Sequence, residues 1–158
     1  NNGGNRGLAH GMRRGAAVAT GDYLAKLDSD LEYLPNWLET LIDIFENNPD
    51  VGVVGFFDYR NYDKNDDRFF VLEEREDCYI VSDFVASAWI TSREIWDEFG
   101  DKCGDDGWQL YVKGKGNKLA IPKTDVVVNF GFGKNSVYIQ NGEVIQFTKD
   151  TKVFNSKK

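Results

Sequence analysis

Histidine is nearly absent: the 158 residues hold one, His10. A His-based catalytic triad and a histidine-rich metal site are therefore excluded. Cysteine is scarce as well, with Cys78 and Cys103 alone and no paired metal-type spacing. Two such residues fit a reducing compartment better than a disulfide framework, with a single bridge left open. Basic charge is in deficit, 19 Lys and Arg against 26 Asp and Glu, for a net charge of −7. A general nucleic-acid binder needs the opposite surplus against phosphates, so that class is disfavoured. No apolar run approaches the length of a membrane span, and no signal peptide is visible. Repeats and low-complexity tracts are missing too. The expected location is cytoplasmic, or peripheral to a membrane.

What is present suffices for one core. Hydrophobic residues make up 41% of the chain and aromatics 14%, so a single domain over 1–158 is expected. Position 1 is Asn rather than Met, and the opening NNGGNRG has no strand before it. The expectation is a partial domain, part of a longer chain.

Along the chain, Leu8, Met12, Ala16 and Ala19 form one apolar helical stripe. Gly11 and Gly15 weaken that helix, which suggests close approach of sheet or ligand, and Gly21 is expected to end it. YLAKL reads as a short strand running into Asp28-Ser29-Asp30. Pro35 suits the first position of a helix whose stripe is Leu38, Leu41, Ile42 and Phe45. NNPD stops it, and VGVVGFF reads as a buried strand. Helix, strand, acid pair, helix, strand is the rhythm of an α/β sheet with mostly parallel strands flanked by helices. Downstream, DYRNYDKNDDR reads as a surface loop, and FFVLEE and CYIVSDFVASAWI as strands. SREIWDEFG reads as a short helix capped by Ser92 and stopped by Gly100. DDGWQLYVKGKG suggests another helix, with Trp108, Tyr111 and Val112 on one side, and KLAIP and DVVVNF read as strands. A C-terminal β-hairpin turning at Asn141-Gly142 is expected within an extension over 136–158.

The acid pair carries the chemistry. An extended backbone points residues i and i+2 to the same side, so Asp28 and Asp30 face each other. Like charges that close repel unless something positive sits between them, and a divalent cation is the obvious candidate. Ligands of an α/β sheet sit beyond the carboxyl ends of its strands, where this pair lies. Hard oxygen ligands on a short turn suit Mg²⁺ or Mn²⁺. A D-x-D also arises by chance and often only caps the next helix. An EF-hand loop fits poorly, because Tyr33 stands where that loop needs Gly.

Around the pair lie Asn5-Arg6-Gly7, Ala19-Thr20-Gly21-Asp22-Tyr23, Leu27-Asp28-Ser29-Asp30, Pro35 and Asn48-Pro49. In order and spacing this stretch of about fifty residues resembles the family 2 glycosyltransferases, with their GT-A fold. SAWITSREIWDEFG and GDDGWQLYVKGKGNKLAIP look like the family's later segments. The resemblance implies transfer of a sugar from a nucleotide-sugar donor to a saccharide or other hydroxyl acceptor, with inversion, in carbohydrate biosynthesis. It implies a metal, Mn²⁺ or Mg²⁺, on Asp30, with Asp28 on the donor ribose or a metal-bound water. Asn129 stands where many relatives place a late metal-binding His. Asn5, Gly7, Arg13 and Ser29 would join the donor site, Arg13 replacing an Asn common among relatives. The catalytic base falls on Asp106 or Asp105, with Asp106 preferred as the acid nearer the helix start. Trp89 and Trp108 would contact the acceptor, although a buried aromatic is the competing reading of Trp89.

Arg6, His10, Arg13 and Arg14 form a basic cluster that either approaches the diphosphate or is a solvated helix face. The family's first strand, first helix and second strand, which hold the nucleotide base, have no counterpart here. A missing N-terminal portion would supply them, and a homo-oligomer is a further possible partner. The alternatives are a non-catalytic or incomplete nucleotide-sugar or carbohydrate-binding module of the same fold and, more distantly, a nucleotidyltransferase.

Overall fold

The structure, a computed structural model, describes residues 7–28, 31–56, 71–82, 88–100, 107–129, 137–140 and 143–146. Four helices and ten strands follow in the order α1 (Leu8–Val18), β1 (Tyr23–Lys26), β2 (Leu31–Tyr33), α2 (Trp37–Asn47), β3 (Val51–Phe56), β4 (Val71–Glu74), β5 (Cys78–Val81), β6 (Ala88–Ser92), α3 (Arg93–Phe99), α4 (Trp108–Gly114), β7 (Lys118–Pro122), β8 (Val127–Asn129), β9 (Val137–Gln140) and β10 (Glu143–Gln146). The expected mixed α/β architecture is present. A six-stranded sheet runs β1-β6-β3-β7-β5-β4, and β2-β8 and β9-β10 form two small ribbons.

The pairing corrects one expectation. Among the described strands the main sheet is mostly antiparallel, with β3 and β7 its single parallel pair. The crossover through α2 does leave β1 and β3 pointing the same way, as a helical connection between strands requires. The antiparallel β6 lies between them, however, hydrogen-bonded to both. Helix–strand rhythm encodes direction. It does not encode which later strand slots in between.

Both faces of the sheet are covered, so β3 is buried at every position. Alternation along the strand splits its side chains between two cores. Val54 and Phe56 face α2 through Leu41 and Ile44. Val53 faces the other side, with Trp89, Trp96, Trp108 and Val112, where Met12 and Ala16 of α1 also pack. Gly52 permits the close crossing of β3 and α4: a Cβ there would lie 2.6 Å from Val112 Cγ1 and 2.9 Å from Asn117 Cβ. Of the two neighbours expected at Gly11 and Gly15, the sheet is not one: among the described residues a Cβ on either meets nothing within 4 Å.

Helix boundaries shift where the backbone leaves helical space. α1 stops at Val18, not Gly21, because Ala19 is already extended. α2 starts at Trp37, not Pro35, because Asn36 takes a left-handed conformation at the cap. Its inner face is Leu41 and Ile44 with Trp37 and Phe45, one position round from the expected stripe, and Leu38 is half-exposed. Ser92 caps α3 as expected, its Oγ accepting from Ile95 N at 3.2 Å. On α4, Tyr111 faces outward and Gln109 is buried instead. CYIVSDFVASAWI divides into β5 and β6. The hairpin forms with Gln140 opposite Glu143.

At the sheet end from which β3 starts, an ionic network ties three strands together. Arg75 donates to Asp50 at 2.6 and 2.8 Å and to Glu73 at 2.9 Å. Lys118 joins both acids, at 3.1 and 2.7 Å.

Candidate active site

β1 delivers its carboxyl end to the edge opposite that network. Register places Lys26 beside Trp89 on β6, and Phe56, the end of β3, beside Ala88. The ends of β1 and β3 and the start of β6 thus share one edge. Asp28 lies just past β1. Its carboxylate is 2.8 Å from the Lys26 ammonium, the residue two back on the same side of an extended chain. The Tyr33 hydroxyl of β2 donates to the Asp28 carbonyl at 3.3 Å. There Leu31 pairs with Asn129 of β8, and Leu34 N donates to Val126 O at 2.9 Å. This ribbon brings the backbone of Asn129 level with Leu31, three residues after Asp28.

A cavity of about 460 Å³ opens between α1 and β1 and ends at Asp28. Gly11, Gly15, Ala16 and Ala19 form the helix wall, and Trp89 and Trp96 contribute the floor. Small residues thus leave space there instead of admitting the sheet. Arg93 holds the helix end. Its guanidinium donates to the carbonyls of Ala16 at 3.1 Å, Ala19 at 2.6 Å and Gly21 at 3.4 Å.

The residues singled out from sequence divide. Asp28 and Trp89 line the cavity. Gly7 caps α1 with a φ of 84°, a conformation that favours glycine. Arg13 faces outward over a neighbouring hollow with Arg93 and Asp97. Trp108 is fully buried and Trp89 is 2% exposed. Trp89 stacks on Trp96 at 5.5 Å, and Trp108 packs edge-on against both. Among the described residues the indole N–H groups of Trp89 and Trp108 have no hydrogen-bond partner. Asn5, Ser29, Asp30, Asp105 and Asp106 lie outside the described residues, as does Arg6. Among the described residues no group of three His, Cys, Asp or Glu converges as a metal cluster, and no helix is long and apolar enough to cross a membrane. The contacts that sequence reasoning missed are Lys26 and Arg93. The first was legible by strand periodicity; the second reaches partners more than seventy residues away and had no local signal.

Comparison with known proteins agrees with this geometry. The family model described as "Glycosyl transferase family 2" matches residues 1–100. Glucosyl-dolichyl phosphate glucuronosyltransferase of Haloferax volcanii is 47% identical over 51 residues, 32% of this chain and 16% of that protein. Polypeptide N-acetylgalactosaminyltransferase 5 of Caenorhabditis elegans is 46% identical over 43 residues, 27% of this chain and 7% of that protein. The matched stretches thus span less than a fifth of either relative. With most of its length matched by that one family model, the chain belongs to glycosyl transferase family 2.

Proposed function

We propose that the chain forms the donor-binding and catalytic part of an inverting glycosyltransferase, moving a sugar from a nucleoside diphosphate to a hydroxyl acceptor. The observation that carries this reading is the open cavity ending on Asp28 at the carboxyl end of β1. In this reading Asp28, Gly7, Ser29 and Asp30 hold the donor.

The donor set fits a hard divalent cation: Asp30 and Asp28 offer carboxylate oxygens, and β2–β8 pairing sets the backbone of Asn129 opposite Leu31, the residue after Asp30 in sequence. Asp30 would hold it directly, since Asp28 is already engaged by Lys26. When bound, Mn²⁺ or Mg²⁺ supplies positive charge that offsets the charge developing on the leaving diphosphate. Asp106, or Asp105 next to it, takes the acceptor hydroxyl's proton as its oxygen attacks the anomeric carbon. The bond to the diphosphate breaks on the opposite face of the sugar, which inverts the centre. Trp89 and Trp108 shape the acceptor side through packing.

The Lys26–Asp28 pair favours one further reading, a binding module without turnover, because Asp28 already has a positive partner. One set of measurements separates the two. Thermal shift with Mn²⁺ and a panel of nucleotide sugars reports donor binding, and the Asp30→Ala variant is expected to lose it. Release of nucleoside diphosphate with an acceptor panel reports turnover, which Asp106→Asn is expected to abolish while donor binding persists. A wild-type chain that binds donors but never releases diphosphate would establish the module reading.

A further inference from the structure

Resting on that donor-site reading, we infer that Arg93 is a positioning residue: it fixes α1 against β1 and so sets the width of the donor cavity. α1 is poorly anchored by itself. None of its residues is fully buried, and no basic side chain lies in its last turn. Among the described residues, Met12 and Ala16 of α1 pack partly buried against the core. The last carbonyls of any helix lack intrahelical donors and carry the negative end of its dipole. Arg93, the first residue of α3, meets both needs through its bonds to Ala16, Ala19 and Gly21. Its backbone N–H also donates to Asp22 O at 2.7 Å, fastening the link between α1 and β1. Ala16 and Ala19 are themselves wall residues of the cavity. The guanidinium is therefore bonded to the wall that faces Asp28. A lysine keeps the charge but not the spread of donors that reaches three carbonyls.

The test compares wild type with Arg93→Lys, Arg93→Ala and Asp97→Asn. The last removes only the 3.9 Å ion pair on α3 and is the control. Two quantities are read: hydrogen exchange of the Ala16–Ala19 amides, and affinity for UDP and GDP in Mn²⁺. Both Arg93 variants are expected to raise that exchange and to weaken nucleotide binding by about tenfold each, the scale of a lost charge-assisted hydrogen bond. Amides of β3 and β7 should exchange as in wild type, and Asp97→Asn should match wild type throughout. Unchanged α1 exchange in Arg93→Lys overturns the inference, as does a uniform rise that includes β3 and β7. Raised α1 exchange with undiminished nucleotide affinity overturns the link to the cavity. If wild type binds neither nucleotide while the variants loosen α1, the clamp stands and the donor-site reading falls.

Discussion

Lys26 and Asp28 form an ion pair at 2.8 Å, with the lysine side chain 11% exposed and the aspartate 30%. Both residues line the α1–β1 cavity, so the pair couples the strand end to the space where a ligand would lie. Asp28→Asn leaves a nearly buried ammonium without this carboxylate, which is expected to cost about 1 kcal/mol of stability. In the donor-site reading the same change weakens nucleotide-sugar binding by about tenfold, since a hydrogen bond to a charged group is lost. Urea unfolding and a binding titration measure the two separately.

Gly15 separates protein packing from ligand space. Its Cβ would meet nothing within 4 Å among the described residues, and Ala in a helix interior exceeds Gly by about 0.5–1 kcal/mol. Gly15→Ala is therefore expected to stabilise the protein while reducing nucleotide affinity, because the methyl enters the cavity. A stabilised variant with full affinity would show that the ligand lies elsewhere.

Gly52 has the opposite outlook. A methyl there meets Val112 and Asn117 at distances that no side chain tolerates. Gly52→Ala should push α4 from the sheet and cost about 1–3 kcal/mol, read as a lower midpoint in denaturant.

Trp108 tests whether its ring serves packing or acceptor. Trp108→Ala empties a fully buried site and is expected to cost about 3–5 kcal/mol. Trp108→Phe loses ring area but also sheds a buried N–H that has no partner among the described residues, so about 1–2 kcal/mol is expected. Turnover that collapses in the Phe variant while its stability persists would mark a direct acceptor contact.

Acid should weaken the network at the other end of the sheet. Hydrogen bonds from Arg75, then Lys118, hold the Glu73 carboxyl down at about 2, against an ordinary 4.5. Arg75 does the same to Asp50. A lowered folded-state pKa means that the unfolded chain takes up protons first, so this stability is present above about pH 5 and drains away as pH falls toward 2. Arg75→Met removes the cause of the shift. The stability gap between wild type and variant should be widest near neutrality and close across that interval, as urea unfolding at stepped pH would measure.

Much of the fold was readable from residue order, and for one reason. Helix and strand periods are local properties, so β1, β3, α3 with its Ser92 cap, and the β9–β10 hairpin fall where side-chain spacing puts them. The stripe of α2 was read one position off because Leu38 and Leu41 fit the period as well as Trp37 and Leu41 do. Only the sheet beneath decides between them. Asp28 just past β1 was equally plain, and so was the glycine-rich helix before it.

Residue order by itself determined the α/β class, the family, and Asp28 at a strand end beside a helix of small residues. Tertiary structure alone decided that β6 enters between β1 and β3, that Lys26 takes hold of Asp28, and that Arg93 braces α1. The first set depends on neighbours a few positions apart, whose geometry the backbone repeats. The second depends on competition among distant segments for the same edge or carbonyl, and that is settled when the two cores close on either face of the sheet.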